Sequence, residues 1–205
     1  EIGVLFIGDS ITEGWKGARD VWDREFGPYD PANFGISADQ TQWLLWRLEE
    51  SLPGVSPELV VLMIGTNNIK SGPTRDAPEE VARGVAAVVD LILRKLPETH
   101  ILLMSILPRQ PEQYDWIGEA VRRTNRLMRP LGENARVTYV NLHDRFLDGD
   151  GRLRREFYRH DLLHLSPAGY AAWAEAIRRH VRSRLGEPAR SEEHTSELQS
   201  LLIIS

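Results

Sequence analysis

The sequence of 205 residues contains no cysteine. This absence excludes disulfide bonds, thiolate metal ligands and a cysteine nucleophile, so any covalent catalysis must use another side chain. Because cysteine-free proteins occur on both sides of a membrane, the composition leaves the compartment undetermined. Long hydrophobic runs are also missing from the sequence. No stretch approaches the roughly 18 consecutive apolar residues of a membrane-spanning helix, and we therefore expect no membrane span.

Positive charge is scarce relative to negative charge. The chain has 25 Lys and Arg residues against 30 Asp and Glu residues, for a formal net charge of −5. A protein that covers a phosphate backbone needs the opposite balance, so we expect no nucleic-acid partner. Hydrophobic residues at 41% and charged residues at 27% are typical of globular proteins. A chain of this length forms one sizeable domain that buries about 70% of its extended surface on folding.

The two ends of the sequence are interpreted differently from the rest of the expected domain. Glu1 is not an initiator Met, and the apolar run Ile2–Ile7 follows it at once, which predicts that the natural N-terminus is missing. A signal peptide could have preceded it, so localisation stays open. Residues Arg190–Ser200 match an in-frame translation of a common sequencing adapter, and we interpret 190–205 as a non-native tail. The predicted single domain spans residues 1–189.

Apolar runs without polar alternation predict strands that are buried on both faces, as in a parallel sheet. The predicted strands are Val4–Ile7, Ala32–Phe34, Leu59–Ile64, Ile101–Met104 and Val137–Val140. Helical periodicity lies between and after them, in Gln40–Glu50, Pro78–Leu96, Tyr114–Leu131 and Pro167–Leu185. This alternation predicts an α/β fold, a three-layer α/β/α sandwich with a five-stranded parallel sheet.

In such folds the ligand site lies beyond the carboxyl ends of the strands. Ser10 follows the first predicted strand, Gly35 the second and Asn67 the third, while Asp161 and His164 directly precede the last helix. Together these residues supply a nucleophile, donors for an oxyanion and a base with its carboxylate, the set that acyl transfer requires. Each one also has a structural interpretation as a turn, cap or core residue. Their joint occurrence favours the catalytic interpretation.

The sequence resembles the SGNH (GDSL) hydrolase family in four blocks. These blocks are Ile7–Thr12 (IGDSIT), Asn33–Gly35 (NFG), Ile64–Asn68 (IGTNN) and Asp161–Ser166 (DLLHLS). The resemblance runs from about Val4 to Leu185 and implies a flavodoxin-like α/β/α fold and the hydrolysis of small acyl esters without a metal or other cofactor. Within the family the chain is especially similar to the platelet-activating-factor acetylhydrolase catalytic subunits and their bacterial relatives, through Trp46–Leu48 and Ile106–Arg109.

The resemblance also implies a role for each site residue. Ser10 is the expected nucleophile, His164 the general base, and Asp161 the carboxylate that orients the imidazole. The expected oxyanion donors are the backbone N–H groups of Ser10 and Gly35 and the side-chain amide of Asn67. The implied substrate is a short-chain ester, an O-acetyl ester above all, of a lipid or a carbohydrate. Whether the chain forms a homodimer stays open.

Some residues depart from the family pattern or lie outside it. Ser37 and Ala38 stand where close relatives often have two glycines, which restricts the backbone of that loop. We interpret Asp9 as a helix cap rather than a catalytic group. Trp43 and Trp46, three residues apart on a helix, are interpreted as packing residues, either in the core or at an interface. Trp15 alone among the tryptophans is considered for the pocket.

The same residues allow four other interpretations to be compared. A phosphate-binding loop needs a lysine where Trp15 stands, and the nucleophile elbow of α/β-hydrolases needs a glycine where Thr12 stands. His160 and His164 have the spacing of a metal pair on a helix, but Ser166 starts the helix only after them, and we expect no metal. The remaining alternative is a catalytically silent binding module in which Ser10 is a cap.

Overall fold

The structure is a computed structural model that describes residues 2–52, 54–69, 76–109 and 115–188. Residue 1 and the predicted tail, 190–205, lie outside the described residues. Within the described ranges, no helix is long and apolar enough to cross a bilayer.

Five strands form one parallel sheet, as predicted. They are β1 (Val4–Gly8), β2 (Pro31–Gly35), β3 (Leu59–Met63), β4 (His100–Met104) and β5 (Val137–Val140). The strand order is β2-β1-β3-β4-β5, and every pair is parallel. The chain runs from β1 outward to β2 and then returns to β3 on the other side of β1. The carboxyl end of β1 therefore lies at a topological switch point, where ligands bind in open α/β sheets.

Among the residues that the structure describes, six α-helices accompany the strands. They are α1 (Ser10–Glu13), α2 (Arg19–Glu25), α3 (Thr41–Ser51), α4 (Pro78–Lys95), α5 (Asp115–Met128) and α6 (Pro167–Leu185). The four long helices agree with the predicted ones, while the seven-residue α2 was not predicted, because two turns are too short for a clear periodicity. The chain is thus an α/β protein with a five-stranded parallel sheet.

Side chains alternate between the two faces of the sheet and form two apolar cores. On β1, Val4 and Phe6 belong to one core, and Leu5 and Ile7 to the other. The first core is closed by residues of α2 and α6, and the second by residues of α3, α4 and α5. This arrangement confirms the predicted three-layer sandwich.

The tryptophans are distributed differently from the prediction. Trp15 is only 1% exposed and packs in the first core, with its ring 4.6 Å from that of Tyr170. Trp43 and Trp46 are 52% and 76% exposed, so they do not pack in either core, and their placement at an interface stays a prediction. Spacing along a helix shows that two residues share a face, but it does not show which way that face points.

Candidate active site

The turn from β1 into α1 places Ser10 at the carboxyl edge of the sheet. A Cβ atom on Gly8 would lie 2.2 Å from Thr12 Oγ1 and 2.3 Å from the Met63 carbonyl oxygen, so only glycine allows this close approach. Asp9 then caps the helix, because its Oδ1 accepts a hydrogen bond from the Ile11 N–H at 2.9 Å. Ser10 consequently occupies the first position of α1, where a backbone N–H has no intrahelical acceptor.

Ser10 and His164 meet across the site. Ser10 Oγ and His164 Nε2 lie 3.0 Å apart, although 154 residues separate them in sequence. His164 is held in the loop before α6, which begins at Pro167 with Ser166 as its cap; the Ser166 hydroxyl accepts from the Gly169 N–H at 3.2 Å. Both side chains are only half-buried, and substrate can therefore reach them.

Asp161 contacts the other ring nitrogen of His164. Its Oδ2 lies 2.7 Å from His164 Nδ1, and its Oδ1 accepts from the backbone N–H groups of Leu163 and His164 at 3.0 and 2.9 Å. Leu162 between them adopts a left-handed φ of 52°, which folds the loop back onto the carboxylate. Burial alone would raise the pKa of Asp161, but the ring and backbone hydrogen bonds together lower it to about 2.

Asn67 projects from the segment after β3 and is fixed at two points. Its side-chain Nδ2 donates to the backbone carbonyl oxygen of Asp39 at 3.0 Å. The backbone carbonyl oxygen of Asn67 accepts from Gln40 Nε2 at 3.0 Å. A carboxamide nitrogen carries two hydrogens, so one donor of Asn67 is not used by Asp39. Gly65 turns the chain here with a φ of 118°, a backbone conformation that favours glycine.

Gly35 lies at the end of β2 against the backbone of α1. A Cβ atom at this position would come within 2.2 Å of the Glu13 backbone nitrogen, so the site admits only glycine. The Gly35 N–H donates to Asn33 Oδ1 at 2.8 Å. The family resemblance implies that this N–H is an oxyanion donor, whereas in the structure it already donates to the Asn33 side chain. The pairing through Asn33 could not be found from the motif alone.

Asp9 is a buried carboxyl group that directly precedes Ser10 in the sequence. It is 1% exposed, and its Oδ2 has no hydrogen-bond partner among the described residues. Burial, opposed by the Ile11 N–H and by the charges of His164 and Arg109, raises the pKa of Asp9 to about 7. The prediction that Asp9 caps the helix is confirmed, while its raised pKa had no signal in the sequence.

Asn68, next to Asn67, joins three segments in a buried network. Its Oδ1 accepts from the Thr41 N–H at 3.1 Å, and its Nδ2 donates to Asp76 Oδ2 at 2.7 Å and to Gln42 Oε1 at 3.0 Å. The network attaches the start of α3 to the loop after β3. Asn68 belongs to the IGTNN block, but no pattern in the sequence indicates this network.

A cavity of about 180 Å³ opens beside the Ser10–His164 pair. Its lining comprises Ser10, Glu13, Gly14, Lys16, Ser37, Arg159, His164 and Tyr170. A larger cavity of about 850 Å³ lies along β5 and contains none of the predicted site residues. In the described part of the chain, no group of three or more His, Asp or Glu side chains could hold a metal ion. Of these two cavities, the smaller one is therefore the cavity that contacts Ser10 and His164.

The chain is similar to known proteins in both sequence and fold. The model of the GDSL-like Lipase/Acylhydrolase family matches residues 6–172. The bovine platelet-activating factor acetylhydrolase IB subunit alpha1 is 34% identical over 177 residues, which cover 85% of this chain and 72% of the bovine protein. The human subunit alpha2 is 30% identical over 198 residues, 95% of this chain and 82% of the human one.

A similar solved structure is that of a Streptococcus pneumonia protein described as a platelet activating factor. It superposes with a TM-score of 0.76 at 31% identity, over 88% of this chain and 84% of the other.

Proposed function

The chain belongs to the GDSL-like lipase/acylhydrolase family and is a carboxylic ester hydrolase, and from this premise we propose that Ser10 is its nucleophile. The observation that carries the proposal is the unbroken series of contacts from Ser10 Oγ to His164 Nε2 at 3.0 Å and from His164 Nδ1 to Asp161 Oδ2 at 2.7 Å. A hydrolase also accounts for these residues better than a silent binding module does.

In the proposed reaction His164 moves the proton. With Nδ1–H donating to Asp161, the Nε2 atom accepts the Ser10 hydroxyl proton as Oγ attacks the ester carbonyl carbon. Asp161 stays ionised because its pKa is about 2, and it stabilises the imidazolium that results. His164 then gives the proton to the departing alkoxide, leaving an acyl-enzyme. Water repeats the sequence and releases the acid.

The oxyanion of the tetrahedral intermediate needs donors that are already in place. The backbone N–H of Ser10 at the start of α1 and the unused Nδ2 hydrogen of Asn67 are the proposed donors that need no rearrangement. The Gly35 N–H joins them when it is shared between Asn33 Oδ1 and the oxyanion. Each such donor is typically worth about 3 kcal/mol of barrier.

We assign a short acyl group, an acetyl group above all, to the substrate. Two observations support this choice. The cavity of about 180 Å³ is smaller than the roughly 300–1,000 Å³ of ordinary ligand pockets. The similar bovine and human proteins bear the name acetylhydrolase. The proposed alcohol is a lipid or a carbohydrate, and the name of the relatives refers to the first.

A panel of p-nitrophenyl esters from acetate to laurate tests both parts of the proposal. We expect kcat/KM to fall as the acyl chain lengthens, and Ser10→Ala to lose activity by about 10⁶-fold, as expected when triad members act as a unit. Ser37→Ala removes a hydroxyl from the same cavity and is the matched control. Full activity of Ser10→Ala would contradict the nucleophile, and a preference for laurate would contradict the acetyl group.

Acetylated sugars and acetylated glycerophospholipids, assayed with the same variants, test the alcohol. Release of acetate from only one class by wild type, and not by Ser10→Ala, identifies that class. Equal release from both contradicts a specific alcohol.

A further inference from the structure

Arg47 on α3 has no role in the proposed reaction, yet its side chain is buried beside the site. Only 14% of the Arg47 side chain and 8% of the Asp39 side chain are exposed. Arg47 Nε donates to Asp39 Oδ2 at 2.7 Å, and Nη2 donates to the carbonyl oxygens of Phe34 at 2.7 Å and Gly8 at 3.3 Å. One guanidinium therefore contacts three separate segments of the chain.

Two of these three segments lead directly to predicted site residues, and the third contacts one. Gly8 ends β1, two residues before Ser10, and Phe34 lies on β2 directly before Gly35. Asp39 ends the loop that follows β2, just before α3 begins. Arg47 thus fixes the carboxyl ends of two neighbouring strands relative to each other and to this loop. Hydrogen bonds from a charged donor are about twice as strong as neutral ones.

The contact with Asp39 continues to Asn67. The Asp39 carbonyl oxygen accepts one hydrogen of Asn67 Nδ2 at 3.0 Å, while the next residue, Gln40, donates to the Asn67 carbonyl oxygen at 3.0 Å. Because a carboxamide is planar, the hydrogen bond to Asp39 also fixes the direction of the second Nδ2 hydrogen of Asn67, which Asp39 does not accept. A shift of the loop at Asp39 would therefore turn the donor away from the oxyanion.

From these contacts we propose that Arg47 is a positioning residue for the oxyanion-binding donors, acting through Asp39 on Asn67 and through Phe34 on Gly35. The inference rests on the proposed function, because it assigns Arg47 to the same oxyanion. Arg47 touches neither Ser10 nor His164 in the described contacts, and the proton transfer between those two does not depend on it.

Arg136 provides a matched control elsewhere in the fold. Its side chain likewise donates to three acceptors, here the backbone carbonyl oxygens of Leu93, Leu96 and Pro97, at 2.7–3.2 Å. These carbonyls lie in the last turn of α4 and directly after it, before β4, at the amino edge of the sheet and away from the site. Truncation of either arginine removes a comparable set of hydrogen bonds, but only Arg47 is connected to the oxyanion donors.

The test compares Arg47→Ala with Arg136→Ala on p-nitrophenyl acetate. Small misplacements of catalytic groups can cost about 100-fold in rate, and we expect kcat of Arg47→Ala to fall by roughly 10- to 100-fold while KM changes less than threefold. The affinity for a methyl trifluoromethyl ketone, whose adduct with serine carries an oxyanion, should fall by the same factor as kcat/KM. Arg136→Ala should lose thermal stability but keep wild-type kcat and ketone affinity.

Two conservative variants keep the test decisive if Arg47→Ala is poorly folded. Arg47→Lys retains the charge and should recover part of kcat, and Asp39→Asn retains the shape but weakens the pair and should lose kcat with KM maintained. Equal kcat losses in the Arg47 and Arg136 variants, or unchanged ketone affinity in Arg47→Lys and Asp39→Asn, overturn the proposal. Ser10→Ala, measured in parallel, separates the two failures: if it stays active the proposed function is wrong, and if it is inactive only the role of Arg47 is overturned.

Discussion

Asn33 Oδ1 accepts a hydrogen bond from the backbone N–H of Gly35 at 2.8 Å, and Asn33 Nδ2 donates to the Thr12 carbonyl oxygen at 2.9 Å. One carboxamide thus connects the end of β2 to α1, the helix that begins with Ser10. It also occupies a proposed oxyanion donor before substrate binds. The side chain of Asn33 therefore both positions Gly35 and competes for its N–H.

The charge at position 33 should determine how fully the Gly35 N–H is available. We expect kcat to fall in the order wild type, Asn33→Ala, Asn33→Asp. The alanine variant loses the two hydrogen bonds, while the carboxylate holds the N–H more firmly and repels the oxyanion. Like charges in a partly buried site should cost roughly tenfold or more in kcat.

Steady-state kinetics on p-nitrophenyl acetate at pH 8 measures this order, and thermal unfolding shows whether both variants are folded. An aspartate variant that is as fast as the alanine variant would show that the Gly35 N–H takes no part in the reaction.

Asn67→Ala removes a proposed oxyanion donor and leaves the Ser10–His164 pair in place. Loss of one such donor typically lowers kcat by about 100- to 1,000-fold, so the variant should be slow but measurably faster than Ser10→Ala. Burst kinetics should show both acylation and deacylation slowed, because each step passes through a tetrahedral intermediate that carries an oxyanion. Activity of Asn67→Ala within threefold of wild type would remove Asn67 from the oxyanion site.

Burial of Asp9 should make the stability of the fold depend on pH. The pKa of Asp9 is raised to about 7 in the folded chain, against about 3.9 in an unfolded one. Between these values the folded state holds a proton that the unfolded state has lost, so this group's contribution to stability is full below pH 4 and is lost as pH rises towards 7.

Asp9→Asn keeps a side-chain oxygen that can cap α1 but removes the titration. The free energy of unfolding from urea denaturation should therefore fall less between pH 4.5 and pH 7 in this variant than in the wild type. The charges that face Asp9 belong to His164, Asp39 and Arg109, and they are the same in both proteins. Equal slopes would mean that Asp9 is ionised in the folded protein throughout this range.

Local patterns in the sequence predicted the fold, and the fold predicted that the site residues lie at one edge of the sheet. The uninterrupted apolar runs at β1 and β3 indicated a parallel sheet, and Ser10, Gly35 and Asn67 lie at its carboxyl edge. Tertiary contacts of single polar side chains could not be predicted. Arg47 reaches a carbonyl 39 residues away, and no local pattern records such a contact.

The same limit applies to the exposed tryptophans. The spacing of Trp43 and Trp46 predicts that they share a face of α3 and favours packing, either in the core or at an interface. Leu44 and Leu48 on the same helix form the buried face instead. Which of two apolar faces packs on the sheet depends on how the whole helix docks, and no single residue pair shows this.

Ala38 carries backbone strain that a substitution should relieve. Its φ of 66° lies in the left-handed region, which costs a residue with a Cβ about 1–2 kcal/mol relative to glycine. The entropy of an unfolded glycine offsets part of that gain, so Ala38→Gly should raise the free energy of unfolding by about 0.5–1 kcal/mol. Ala135, exposed in a turn without positive φ, is the control, and Ala135→Gly should lower it by a similar amount. If both variants are destabilised in urea denaturation, the loop after Gly35 does not hold Ala38 in this conformation in solution.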